Sequence, residues 1–106
     1  MNISITARKF KAHNTLKDFI NGELSSLLKY NDRILNADVI LSYQNVKDSI
    51  KTAEIILQVP GQVLNATESS DDFKKSISNA VDKLSRQLTK IKTKRISRKV
   101  INDRNK

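Results

Sequence analysis

The stretch from Ile34 to Glu68 constrains the fold most. From Ile34 to Tyr43 the odd positions Leu35, Ala37, Val39, Leu41 and Tyr43 are apolar, and Asn36, Asp38 and Ser42 between them are polar. From Lys51 to Val59 the odd positions Ala53, Ile55, Leu57 and Val59 are apolar, alternating with Thr52, Glu54 and Gln58. Ile40 and Ile56 are the exceptions. Successive side chains of a strand point to opposite faces, so a period of two gathers each apolar set on one side. Two such runs predict a sheet with one buried and one open face. Gln44 to Asp48 supplies a polar turn between them, and Pro60-Gly61 a sharper one. Gln62 to Glu68 follows as a third run of mixed polarity. Asn2-Ile3-Ser4-Ile5-Thr6 alternates in the same way and predicts a further short strand.

A sheet with one apolar face needs a cover, and two helical runs provide it. Asn14 or Thr15 can cap the first. Leu16, Phe19, Ile20, Leu24, Leu27 and Leu28 then recur at helical spacing, fading near Tyr30-Asn31-Asp32. Ser70 is the candidate cap of the second, with Asp71 and Asp72 in its first turn. Phe73, Ile77, Ala80, Val81, Leu84, Leu88 and Ile91 form its apolar row, and the helix is expected to reach about Arg98. The simplest product is an α+β domain in the order β-α-β-β-β-α. Two helices pack on one face of a four-stranded sheet, as a two-layer structure. At 106 residues the chain is one domain by length and buries a modest core unaided. We place that domain at residues 1–95, with 96–106 as a basic, flexible C-terminal tail.

Charge is unevenly spread along this frame. Residues 1–82 hold ten basic and ten acidic side chains, whereas residues 83–106 hold ten basic ones and a single acid, Asp103. The net charge of +9 therefore comes entirely from the last 24 residues. Such asymmetry predicts a polyanionic partner, nucleic acid ahead of an anionic membrane surface. Within the second helix, Lys83, Arg86, Lys90 and Lys94 lie at offsets of three, seven and eleven, so they share one face at about 100° per residue. Gln87 lies along it. Leu84, Leu88 and Ile91 turn toward the sheet and anchor the row. Four aligned cations suit the phosphates of an RNA backbone. Lys92 projects from a different flank. With only Phe10, Phe19, Tyr30, Tyr43 and Phe73 as aromatics, and no aromatic pair on a strand face, stacking of single-stranded bases has no support in the sequence.

Catalysis has no comparable support. The absence of cysteine excludes disulfides, thiolate chemistry and cysteine metal sites. His13 is the only histidine, and it stands in a basic connection. Gly22 and Gly61 are the only glycines, so no glycine-rich phosphate loop is present. The expectation is a non-enzyme with no cofactor and no metal. Met1 to Thr6 lacks the basic and apolar regions of a signal peptide, and no apolar run approaches the roughly 20 residues of a membrane span. A cytoplasmic protein without a membrane partner is expected.

The run Asp82-Lys83-Leu84-Ser85-Arg86-Gln87-Leu88-Thr89-Lys90, followed by Lys92 and Lys94, resembles the second helix of the ribosome hibernation-promoting factors, also called ribosome-associated translation inhibitors. Asn2-Ile3-Ser4-Ile5-Thr6, Tyr30-Asn31-Asp32-Arg33-Ile34, Ala66-Thr67-Glu68 and Asp72-Phe73 match in the same order, so the resemblance covers roughly residues 1–95. It implies the β-α-β-β-β-α fold and binding to the small ribosomal subunit in the channel used by messenger and transfer RNA. It implies ribosomal RNA contacts from Lys83, Arg86, Lys90, Lys92 and Lys94, and from Arg8, Lys9 and Lys11 in the loop before the first helix. There are departures from the family pattern. Ala7 replaces the glycine usual after the first strand, Glu23 a common lysine, and Lys74 a common tyrosine. Long family members add a dimerisation domain, for which this chain has no room. The expected partners are the small subunit and its RNA. In the family, short forms either act with a separate ribosome modulation factor to pair ribosomes or act alone to keep them as single particles, and the basic tail is compatible with both. A general double-stranded RNA-binding module is the competing reading.

Overall fold

The computed structural model describes residues 1–45 and 50–104, with side chains described up to 43 and from 50 to 91. The elements follow the expected order: β1 (Asn2–Ala7), α1 (Asn14–Ser25) continued by a 3-10 turn (Ser26–Lys29), β2 (Asn36–Asn45), β3 (Ile50–Val59), β4 (Gln62–Ser70) and α2 (Phe73–Arg104). The strands form one mixed sheet in the order β1-β2-β3-β4. β2, β3 and β4 pair antiparallel in sequence, with Ala37 opposite Leu57 and Ile55 opposite Ala66. β1 docks parallel to β2, Ile3 beside Ala37 and Ile5 beside Val39. Parallel neighbours need a crossover, and α1 supplies it.

Alternation sorts the sheet as its period requires. Ala37, Val39, Leu41, Ala53, Ile55, Leu57 and Val59 are all buried. They meet Ile20 and Leu24 from α1, Leu27 from the 3-10 turn, and Phe73, Ile77, Ala80, Val81, Leu84 and Leu88 from α2. Ile40 and Ile56 lie on the other, open face beside Glu54 and Asp38, and are only half-buried. Leu35 and Tyr43, expected to point inward with the rest, are 50% and 46% exposed. They stand at the two ends of the run, where the apolar row reaches past the middle of the sheet. The turn expected at Gln44 to Asp48 falls, from Val46 on, outside the described residues.

Both expected helix caps are displaced. α1 begins at Asn14, and the capping position is His13, whose extended backbone offers its carbonyl to the amides of Leu16 and Lys17 with no side-chain bond. Asn14 and Thr15 are inside the helix. For α2, Ser70 stays in the sheet opposite Lys51, and Asp72 is the cap. Its carbonyl accepts the first helical bond from the Ser76 amide at 3.0 Å. Its carboxylate accepts from the Lys74 amide, also at 3.0 Å, which satisfies an otherwise orphaned donor. Asp71, outside the helix, pairs with Lys75 at 3.7 Å.

Ser76 ties this start to the sheet. It is fully buried, and its Oγ donates to the Lys51 carbonyl at 2.7 Å and meets the Ser70 hydroxyl at 2.7 Å. Ser76→Ala is expected to cost about 1–2 kcal/mol, because a buried acceptor loses its donor. Chemical denaturation reads this as a lower midpoint at unchanged slope.

Candidate nucleic-acid interface

The basic face is built by the same turns of α2 that close the core. Leu84 and Leu88 are 0% and 1% exposed, while Lys83, Arg86 and Lys90 are all exposed. Gln87 does more than line the face, since its Nε2 donates to the Asn65 carbonyl on β4 at 3.1 Å. This side-chain bond partly covers a sheet edge and ties α2 to β4. The row therefore runs beside β4 and stays put as the core packs. Lys92 and Lys94 continue the helix, but their side chains lie outside the described residues.

Two of the three described cations in the row have acidic neighbours. Lys83 Nζ lies 3.4 Å from a Glu68 carboxylate oxygen, and Arg86 lies 2.9 Å from Asp82 one turn earlier. The Lys83 and Arg86 side chains keep 52% and 76% of their surface in solvent, so these are weak surface pairs that hold the cations without cancelling them. A phosphate arriving at Lys83 competes with Glu68. Glu68→Gln is expected to raise affinity for RNA roughly fivefold, the equivalent of about 1 kcal/mol. A titration of wild type and variant at one fixed salt concentration measures it.

Arg8, Lys9 and Lys11 are exposed in the loop after β1. β1 is one edge of the sheet and β4 the other. The loop is drawn instead to the start of α2, where the Phe10 ring stacks on Phe73 at 5.2 Å and 16°. Lys83 lies about 15 Å further along the helix, at 1.5 Å per residue. The loop and the row are thus two separate basic regions. Ala7, the position noted for lacking glycine, is the last residue of β1. The left-handed backbone falls at Lys9, with φ 64°.

Other departures also find physical roles. Glu23 accepts a hydrogen bond from Ser78 Oγ at 2.6 Å and so links α1 to α2. Lys74 sets its ammonium 5.7 Å from the centre of the Phe19 ring. Lys29, not singled out in the sequence, and Arg33, part of the Tyr30 to Ile34 match, line an open depression of about 250 Å³ with Tyr30, Leu88 and Ile91. The aromatic trio of Phe10, Tyr43 and Phe73 is a further addition, since its members come from three distant segments. Among the described residues, no group of three histidine, cysteine, aspartate or glutamate side chains is placed to hold a metal, and no helix is long and apolar enough to cross a membrane.

Residues 3–96 match the model of the family described as sigma 54 modulation protein / S30EA ribosomal protein. Curated relatives include the ribosome hibernation promoting factor of Escherichia coli, 32% identical over 94 residues, covering 89% of this chain and 96% of the relative. That of Azotobacter vinelandii is 32% identical over 98 residues, covering 92% and 89%. The ribosome hibernation promotion factor of Deinococcus radiodurans is 32% identical over 92 residues, covering 85% of this chain but 48% of the relative, so this chain spans about half of that protein. Among solved structures, the N-terminal domain of Thermus thermophilus protein Y superposes with a TM-score of 0.77 at 29% identity, covering 86% of this chain and 99% of that one. A ribosomal subunit interface protein from Coxiella burnetii gives 0.79 at 27% identity, covering 88% and 99%. With its fold, its second-helix motif and nine-tenths of its length in register, the chain belongs to the sigma 54 modulation / S30EA family, that of the ribosome hibernation promoting factors.

Proposed function

We propose that this chain is a ribosome hibernation factor that binds the small ribosomal subunit and inhibits translation from the channel of messenger and transfer RNA. The observation that carries this reading is the basic row of α2, exposed at Lys83, Arg86 and Lys90 and held against β4 by Gln87, in a chain of this family. Aligned cations on successive turns neutralise a phosphate backbone, and they recognise its shape rather than a base sequence. Lys94 extends the row, Lys92 adds a contact from a different flank of the helix, and Arg8, Lys9 and Lys11 make a second contact. Residues 1–95 are the ribosome-binding unit and 96–106 a basic extension. The protein acts in the cytoplasm, without catalysis, and either pairs ribosomes together with a separate ribosome modulation factor or acts alone to keep them as single particles.

Competition between small subunits and a long RNA duplex tests this reading. Excess subunits are expected to strip the protein from duplex, and the protein is expected to halt a cell-free translation reaction once subunits are saturated. Equal affinity for any duplex would instead favour a general double-stranded RNA-binding module. Full translation at saturating occupancy would contradict inhibition.

A further inference from the structure

Tyr43 is an exposed aromatic ring packed against two others. Among the described residues it is the one aromatic in the set of exposed large apolar side chains, at 46%. It stands edge-on to both Phe10 and Phe73, at 5.1 Å and 5.4 Å, and those two rings stack on each other. The three centres form a nearly equilateral triangle, so Tyr43 packs against both other rings at once.

Among the described residues a lysine stands over this ring. Lys51 Nζ lies 5.7 Å from its centre and donates to the Asp71 carbonyl at 3.1 Å. The nearby Asp71 carboxylate is engaged with Lys75. Phe10 brings Arg8, Lys9 and Lys11 with it. The Arg8 amide is bonded to the Leu41 carbonyl at 2.9 Å, and Lys9 holds φ 64° between that anchor and the Phe10 stack. A non-glycine residue in this region persists where both flanks constrain it. An apolar protein surface docking on Tyr43 would strand these cations without solvent. A nucleotide satisfies both groups, base on ring and phosphate on ammonium.

We propose that Tyr43 is a stacking platform for one unpaired RNA base, with Lys51 and the Arg8 to Lys11 loop meeting the flanking phosphates. This rests on the ribosome-binding reading and adds a base contact about 15 Å from Lys83 along α2, by helical rise.

The test compares Tyr43→Leu, which keeps apolar bulk, with Tyr43→Trp, which keeps a ring. Tyr43→Leu is expected to weaken small-subunit binding roughly 5- to 150-fold, the range of one lost base stack. The slope of affinity against salt stays at the wild-type value, because stacking releases no counterions. Tyr43→Trp keeps wild-type affinity. Its indole, in a chain with no other tryptophan, is quenched on binding. Unchanged fluorescence, or a blue shift without quenching, overturns the platform even where Tyr43→Leu lowers stability. Wild-type binding by Tyr43→Leu overturns it as well. If Lys83→Glu weakens binding while Tyr43→Leu does not, the platform alone falls. If neither weakens binding, the basic-row contact falls with it, and only a wild-type protein that does not bind small subunits overturns the ribosome-binding reading itself.

Discussion

Reversing Lys83, Arg86 and Lys90 to Glu together is expected to abolish small-subunit binding and leave the fold standing. Each of the three is exposed, and none contributes to the core. If each reversal removes about 1.5 kcal/mol of charge-assisted hydrogen bonding, the loss is on the order of a thousandfold. The slope of affinity against salt should fall by roughly 2–3, since fewer counterions are released. A stability cost arises where a new carboxylate at 83 faces Glu68, and another where one at 86 faces Asp82. Exposed pairs of this kind are worth up to about 1 kcal/mol each, so the melting temperature should drop by no more than roughly 10 °C. Retained binding with an unchanged salt slope would refute the assignment of this face.

Leu84→Ala should produce the reverse pattern. Leu84 is fully buried between two members of the basic row, against the sheet and α1. Truncating it opens a cavity beneath α2 and is expected to cost about 2–5 kcal/mol. For a domain with a total stability of about 5–15 kcal/mol, this lowers the melting temperature by roughly 10–30 °C. Where the variant is still folded, the row is still charged, so affinity per folded molecule should stay within a few-fold of wild type. Thermal unfolding and binding at a temperature below the transition separate the two effects. A large affinity loss in fully folded Leu84→Ala would mean that α2 shifts on the sheet, and that anchorage as well as charge sets the contact.

The contrast between these two substitutions is the part of the site most legible in the sequence. The spacing of Leu84 and Leu88 against Lys83, Arg86 and Lys90 separates an anchored face from a presented one before any coordinates are known. Period-two alternation likewise identified Ala37 to Leu41 and Ala53 to Val59 as inward-facing. What local pattern could not supply were the partners. Nothing near Ile3 says that β1 pairs with β2 in parallel. Nothing near Gln87 reveals that it reaches the Asn65 carbonyl, or near Lys83 that Glu68 lies 3.4 Å away. Ser70 and Asp72 are both good caps, and Ser70 lost the role because sheet pairing with Lys51 extends through it. The Phe10, Tyr43 and Phe73 cluster is wholly tertiary: no strand carries an aromatic pair, yet the fold brings three rings within 5.4 Å.

Sedimentation of the tagged protein with ribosomes from resting cells, through a gradient that resolves both subunits, single ribosomes and paired ribosomes, tests the central claim most directly. The protein is expected in the small-subunit and whole-ribosome fractions, and the triple charge reversal is expected at the top of the gradient. Wild-type protein sedimenting only with large subunits, or remaining at the top beside the variant, would contradict it.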